Sequence, residues 1–363
     1  MNAIATVFGH LDPRDQNSRH DFCELLFISL AAVLCGAKNC SDMARYAQEK
    51  QTMLRQVLTL EHGLPSHDTF SALFRKIDPK AFAEAFSTFA QGFAAAAGRN
   101  RRIAIDGKNM RGAFEKGRQH APRMLVSAWG CDVRMTLGAL PAAGGNEAKA
   151  ALEMLAMLDL EGATVTADAL HCTGAMTKEL TRRGADYVLA LKGNQANLHA
   201  AAEKLAAATS TPKAQVAETH EHAHGRTETR VGRVIAAPGL GKRHGFAGLA
   251  AIGEVTRTRL IEGKRQQATW LYALSKRLGA EELLSIVRGH WDIENGAHWG
   301  LDVNYREDDC RSRKDHGPEN IALLRRLSIN TFRADSKNDT MRGKMMRAGW
   351  NDSYLFELMT HMR

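Results

Sequence analysis

The sequence predicts an α/β protein: a mixed sheet with flanking helices and an inserted β-rich segment, preceded by an all-helical N-terminal domain. Three observations predict it. Residues 1–98 carry apolar positions at helical spacing and no alternating run. From residue 102 onward, short runs rich in apolar and β-branched residues come in the order strand, strand, strand, helix, strand, helix, strand. Between about 195 and 265 an Ala-rich helical stretch gives way to polar, alternating segments that interrupt this order.

In the N-terminal part, Leu25, Leu26, Ile28, Leu30, Val33 and Leu34 form a stripe wide enough for a buried helix. Ser41 is read as the cap of a helix over about 42–50. Pro65 marks a break, and Ser66 or Asp68 caps a helix carrying Phe70, Leu73 and Phe74. Asp78-Pro79 opens the next, with Phe82, Phe86, Phe89 and Phe93 on repeating helical spacings. That phenylalanine stripe reads as core rather than as a platform for stacked bases. The run AAAAGRNRR (94–102) reads as a linker, dividing the chain into domains 1–98 and 99–363.

Past the linker, RIAIDGK (102–108) is a strand, and MLVSAWG (124–130) and MTLGALP (135–141) form a hairpin across CDVR. A helix over 146–160 has Asn146 as its candidate cap, and ATVTADAL (163–170) is a strand. Thr173 caps a helix that Gly184 closes, and DYVLALKG (186–193) is the fifth strand. Three meandering strands followed by helical crossovers give a mixed sheet. The insertion is expected at about 195–265, and a closing helix from about Ala280 carries Glu294.

Composition narrows the function classes. Of 363 residues, 44% are hydrophobic and 25% charged, the profile of a globular protein. No apolar run reaches the length of a membrane span, and MNAIATVFGHLDPRD lacks a signal-peptide pattern, so a cytoplasmic location without a membrane partner is expected. The six cysteines include no CxxC pair, which argues against a zinc ribbon or a disulfide framework. The absence of P-loop, GxGxxG and nucleophile-elbow patterns leaves ATP hydrolysis, dinucleotide chemistry and serine hydrolysis without support. A net charge of +9 favours a polyanionic partner.

Three acidic residues stand out. Asp106 follows the apolar Ile103-Ala104-Ile105, where burial is costly unless the carboxylate is paired or bound to metal; Asp106-Gly107 is equally a turn signal. Asp168 follows another apolar strand, as a functional strand end or a cap. Glu294 lies between the pairs His290-Trp291 and His298-Trp299, and on one α-helix His290, Glu294 and His298 share a face. Three carboxylates make the oxygen-rich site that Mg²⁺ prefers, with Mn²⁺ as a substitute. Such ions serve in-line phosphoryl displacement. The competing set, His220, His222 and His224, has strand spacing and reads as a polar strand face. Lys192-Gly193-Asn194-Gln195 is a turn or a phosphate contact, and RGKMMRAGW (342–350) is a basic surface element.

Several long motifs are unusual. HGLPSHDTFSALFRKIDP (62–79), IAIDGKNMRGA (103–113), ADALHCT (167–173), YVLALKGNQ (187–195) and HWDIENGAHWGLDVNYREDDCRSR (290–313) resemble bacterial insertion-sequence transposases of the DDE type. The similarity lies with the group containing the H-repeat-associated proteins and spans nearly the whole chain in order. It implies a ribonuclease H-like catalytic domain with Asp106, Asp168 and Glu294 as the metal-binding triad. It also implies an N-terminal helical region that helps to bind DNA, and a protein that works at the bacterial nucleoid.

The activity implied is binding of terminal inverted repeats in double-stranded DNA, metal-dependent cleavage, and strand transfer into target DNA. A homodimer or larger assembly would bring two ends together. The alternative is a catalytically silent or domesticated DNA-binding relic. The chain departs from the wider superfamily around the catalytic Glu: positions where that superfamily often carries Tyr, Arg and Lys hold Val287, His290 and Leu301. His290, Lys108 and Arg306 are therefore candidates for holding the scissile phosphate, with Lys192, Asn295, Arg311 and Arg313 as further DNA contacts. Asp302, Glu307 and Asp308 are nearby acids that compete with Glu294 for the third ligand.

Overall fold

The structure is a computed structural model that describes residues 2–15, 17–97, 101–113, 123–210, 216–223, 226–261 and 264–360. It divides into two compact units. One comprises Met1–Arg99, Gly107–Leu158 and Glu294–Arg363; the other comprises Asn100–Asp106 and Asp159–Ile293. The expected domain boundary at residue 98 lies outside the described residues.

In the first unit, the described residues up to 97 form helices and no strand. The Leu25–Leu34 stripe belongs to the helix Phe22–Leu34, capped by Asp21, and nearly all of it is buried. The next helix starts at Cys40, two residues ahead of expectation, because the Asn39 side chain accepts from Asp42 N and takes the capping role from Ser41. Ser66 caps His67–Lys76, and Asp78 accepts from Ala81 N at the start of Pro79–Ala97. Phe82, Phe86 and Phe89 of that helix are core; the side chain of Phe93 lies outside the described residues.

The centre of this unit is a helix the sequence reading passed over, Gly317–Ala334, buried from Gly317 to Phe332. It packs against the helices Pro79–Ala97, Phe22–Leu34 and His67–Lys76. The strands of the unit are β2 (Met124–Gly130) and β3 (Met135–Pro141), an antiparallel hairpin with a bulge at Ala128/Trp129, and the C-terminal end of β1 (Arg102–Asn109), in the order β3-β2-β1. The helix Glu147–Leu155, capped by Asn146, packs on the hairpin. Asn330 clamps β3 by accepting from Thr136 N at 2.9 Å and donating to Thr136 O at 2.8 Å.

The second unit is built on a sheet ordered β1-β4-β5-β9-β8-β7-β6. The residues of β1 up to Asp106, β4 (Thr164–Ala167) and β5 (Asp186–Leu191) run parallel. The helix Gly174–Arg182, capped by Thr173, joins β4 to β5. After β5 and the expected Ala-rich helix, Ala196–Ala208, come β6 (Val216–Ala223), β7 (Arg226–Ala236), β8 (Ala251–Ile261) and β9 (Lys264–Leu274), all antiparallel neighbours.

The strands of the expected insertion thus run past residue 265. Leu271–Leu274 return to pair with β5, which satisfies the open hydrogen-bonding edge of that strand and buries Leu271, Ala273 and Leu274. The helix Ala280–His290 lies over the ribbon, with Leu283, Leu284, Ile286 and Val287 packed on Val188, Val255 and Leu274. Gly232 and Gly253 let it approach: a Cβ at either would stand 2.8–2.9 Å from a Leu284 or Leu283 carbon.

Candidate active site

In the second unit, β1 and β4 pair in parallel with Ile105 opposite Ala167. Asp106 is the next residue of β1 and Asp168 the first residue past β4, so the two aspartates follow paired positions on neighbouring strands. Both are half-buried, beyond fully buried apolar neighbours. The strands carry them there because Ile103, Ala104, Ile105 and Val165 are core residues with no exposure above 2%. Asp106-Gly107 is not a turn, since β1 continues to Asn109. In the first unit Gly107 instead receives the Glu147 carboxylate, which a Cβ would strike; Glu147 is an acid the sequence reading did not single out.

Asp168 is a cap, though not of the following α-helix. Its side chain accepts from Leu170 N at 3.0 Å and caps the 3-10 turn Ala169–His171, while Thr173 caps the following α-helix. Asn194 fastens this turn by donating to Ala169 O at 2.6 Å, so the Lys192–Gln195 stretch braces the strand end. Lys192 itself is exposed.

His290 closes the cluster from the end of the helix Ala280–His290. Its Nδ1 lies 2.9 Å from Thr166 Oγ1. Burial depresses its pKa to about 4; Asp168 opposes that shift and His171 adds to it. The ring is therefore neutral near pH 7, and its role is that of a hydrogen-bonding group rather than a cation.

Glu294, in the first unit, is exposed and sits in a π-helical segment, Ile293–His298. The expected continuous helix is not formed: the α-helix ends at His290, so His290, Glu294 and His298 do not share an α-helical face. Asn295-Gly296 was the available signal, a pair that favours irregular backbone. Gly296 permits contact with the buried Trp129, to which an added Cβ would come within 3.0 Å. Wide π turns recur at functional sites. Asn295 is exposed beside Glu294, and in each His-Trp pair the tryptophan faces outward: Trp291 is 50% and Trp299 60% exposed.

The rival acids near Glu294 are engaged elsewhere. Lys108, only 7% exposed, sets its Nζ 2.7 Å from Asp302 and 3.2 Å from Asp308. Arg111 approaches Asp308 at 3.4 Å. Glu307 is buried against Arg325 and Arg326 at 3.5 and 3.2 Å. Arg325 also donates to Lys38 O at 2.9 Å. The sequence reading missed this buried triad because its arginines lie on the central helix at positions that composition marks as surface.

Arg306 takes a left-handed backbone conformation (φ 50°) and pairs with Asp309 at 2.7 Å; Arg311 is exposed, and Arg313 donates to Gly112 O at 3.1 Å. Of the tail element, Lys344 is buried and donates to Phe332 O and Asp335 O, so it is not a surface cation. His222 and His220 bond to Thr227 and Thr229 across the β6–β7 pair, and His224 lies outside the described residues.

Among the described residues no three His, Cys, Asp or Glu side chains gather as a metal cage. The Asp106–Asp168 pair still fits Mg²⁺, which keeps several waters and binds through one or two carboxylates plus substrate phosphates. The donors are hard oxygens on a scaffold of core residues. No helix among the described residues is long and apolar enough to cross a membrane.

A family model described as "Transposase DDE domain" matches residues 97–331, and one described as "DDE_Tnp_1-associated" matches residues 6–90. The chain is 31% identical over 359 residues to "Putative transposase YncI" of Escherichia coli O157:H7, covering 96% of this chain and 92% of that protein. It is 29% identical over 350 residues to "H repeat-associated putative transposase YhhI" of Escherichia coli (strain K12), covering 94% and 92%. Among solved structures, a piggyBac transposase synaptic complex with hairpin DNA matches with a TM-score of 0.44 at 12% identity, over 98% of this chain and 77% of that one.

Proposed function

The chain belongs to the DDE transposase family, and from that premise we propose that Asp106, Asp168 and Glu294 are its catalytic, metal-binding triad. The enzyme is a DDE-type transposase. On this reading it binds the terminal inverted repeats of an insertion sequence, hydrolyses phosphodiester bonds at the ends, and joins them to target DNA through a ribonuclease H-like catalytic domain. The observation that carries it is the placement of Asp106 and Asp168 directly after paired positions on adjacent parallel strands.

Asp106 and Asp168 would hold Mg²⁺ or Mn²⁺ with Glu294. When bound, the metal supplies Lewis acidity toward the phosphoryl oxygens and lowers the pKa of a coordinated water or hydroxyl. The protein's own part is positioning. Asp168 is oriented by Leu170 N, and the turn that carries it by Asn194. Neutral His290, held by Thr166, stands beside Asp168 as a hydrogen-bonding group. Lys192, Asn295, Arg306 and Arg311 are exposed for contact with phosphates, whereas Lys108 and Arg313 act by holding the Arg306–Arg313 segment in place. Two DNA ends require a dimer or larger assembly, with the N-terminal helices (domain 1–98) contributing to end binding. Nothing in the site favours a catalytically silent relic, since all three carboxylates are present.

The test is cleavage of a labelled duplex carrying the DNA that flanks the gene, with Mg²⁺ or Mn²⁺. Wild type should nick at the element's ends. Glu294→Gln, which keeps size and removes charge, should bind the duplex and not cut it. Equal cleavage by both would remove Glu294 from the site, and binding without cleavage by either would restore the relic.

A further inference from the structure

The ribbon β6–β9 of the second unit concentrates charge on one face. Its registers set Glu221 opposite Glu228, Glu228 opposite Arg259, and Arg230 opposite Arg257. Strand alternation puts these side chains on a common face. Glu228, 4% exposed, pairs with both Arg230 and Arg259. Glu221 pairs with Arg230 at 3.4 Å and with Arg288 at 2.8 Å. Both carboxylates are thus shared by two arginines each.

Arg257 is left over. Among the described residues it makes no ion pair, and its guanidinium lies 4.6 Å from the Trp270 ring centroid. It is half-buried and directly opposite another arginine, an arrangement that destabilises a sheet. Burial and the neighbouring Arg259 and Arg230 press its pKa below the ordinary arginine value, against the pull of Glu228. Four arginines therefore converge on two carboxylates, an excess of positive charge that packing does not require. The helix Ala280–His290 covers the end of this face nearest β5, through Leu283 and Leu284 against Gly253 and Gly232 and through Arg288 against Glu221, while Gln266 and Ala268 of β9, opposite Arg259 and Arg257, are exposed. Arg257 and Trp270 are half-buried at the border of that exposed end.

The geometry points to a phosphate-binding site formed by Arg230, Arg257 and Arg259 on the ribbon, its ligand a backbone phosphate of duplex DNA. A phosphate oxygen takes the role of the missing third carboxylate, accepting from guanidinium groups already held in position by Glu228. The identity of the phosphate source rests on the transposase reading; the site itself does not. The ribbon would thereby grip DNA at a point separate from Asp106 and Asp168, by charge rather than by base edges.

Arg257→Gln in the full-length protein tests this, with two probes. The first is inorganic tripolyphosphate followed by thermal unfolding. The second is the flanking-DNA duplex followed by anisotropy across a KCl series. Removing an opposed like charge, the unliganded variant should melt at or above the wild-type temperature. It should lose the stabilisation that tripolyphosphate gives wild type. Its duplex affinity should fall about tenfold, with a salt slope shallower by about 0.9. A variant that responds to both probes as wild type does would overturn the inference, as would one that melts well below wild type without ligand, which marks Arg257 as a packing residue. Wild type that tripolyphosphate stabilises but that binds no duplex would overturn the DNA assignment and count against the transposase reading while leaving the phosphate site. Wild type indifferent to tripolyphosphate, with duplex binding unchanged in the variant, would overturn the site and leave the transposase reading standing.

Discussion

Thr166 and His290 are joined by a 2.9 Å contact between Oγ1 and Nδ1, beside the strand end that carries Asp168. Thr166 Oγ1 also lies 3.4 Å from Ile103 O. A hydroxyl has one proton, so both contacts are satisfied when Thr166 donates to Ile103 O and His290 Nδ1–H donates to Thr166. That fixes the tautomer of a neutral imidazole with Nε2 as an acceptor. Thr166→Val removes the hydroxyl at constant volume. The expected loss of stability is about 1 kcal/mol by urea unfolding, with a larger proportional loss of cleavage than of duplex binding, because the ring beside Asp168 is no longer held.

Glu307 is fully buried between Arg325 and Arg326. Glu307→Gln would leave two buried guanidinium groups without their shared carboxylate. Removing one partner of such a set costs about 3–5 kcal/mol, which a shift in the urea midpoint reports directly. Replacing an exposed ion pair, such as Arg306 with Asp309, should cost under about 1 kcal/mol.

Gly112 faces backbone rather than a flexible side chain. A Cβ there would stand 2.6 Å from both Asp308 O and Cys310 O. Gly112→Ala must push the Glu307–Cys310 segment away, and overpacking of this kind costs about 1–3 kcal/mol. Chemical denaturation should show that loss, and limited proteolysis should cut the variant between Arg306 and Arg313 sooner than wild type.

Asp335 gives a pH dependence. Burial raises its pKa, but a hydrogen bond from Tyr354 at 2.6 Å, one from Lys337 N, and the Lys344 ammonium outweigh that and hold it below the ordinary carboxylate value. A depressed folded pKa contributes stability above the unfolded value, about 3.9, and that contribution is lost as pH falls through the folded value. Asp335→Asn should therefore be less stable than wild type at pH 7, and the gap should narrow below about pH 4. Urea unfolding at pH 7 and pH 3 checks both ends.

The legible parts of the fold were those set by local chemistry. Alternation located β1 to β5 within a residue or two except at the C-terminal end of β4, and Asn146, Ser66 and Thr173 cap the helices assigned to them. Ser41 failed because Asn39, a stronger cap, precedes it. The central helix Gly317–Ala334 escaped notice because it is buried all round, and its Arg325 and Arg326 read as surface residues until Glu307 is seen between them. The π-helical segment had no periodic signature, and α-helical spacing misaligned His290 with Glu294. The charge arrangement of the ribbon depends on register, which the alternation of single strands does not fix.

Whether Asp106 and Asp168 act together in catalysis is read from single-turnover cleavage of the element-end duplex by Asp106→Asn, Asp168→Asn and the double variant, with duplex binding measured in parallel. Each single substitution should slow cleavage by about a hundredfold or more. The double variant should be no worse than the weaker single, since the two carboxylates act as one unit, and binding should persist throughout. Cleavage at the wild-type rate by either single variant would contradict that joint action.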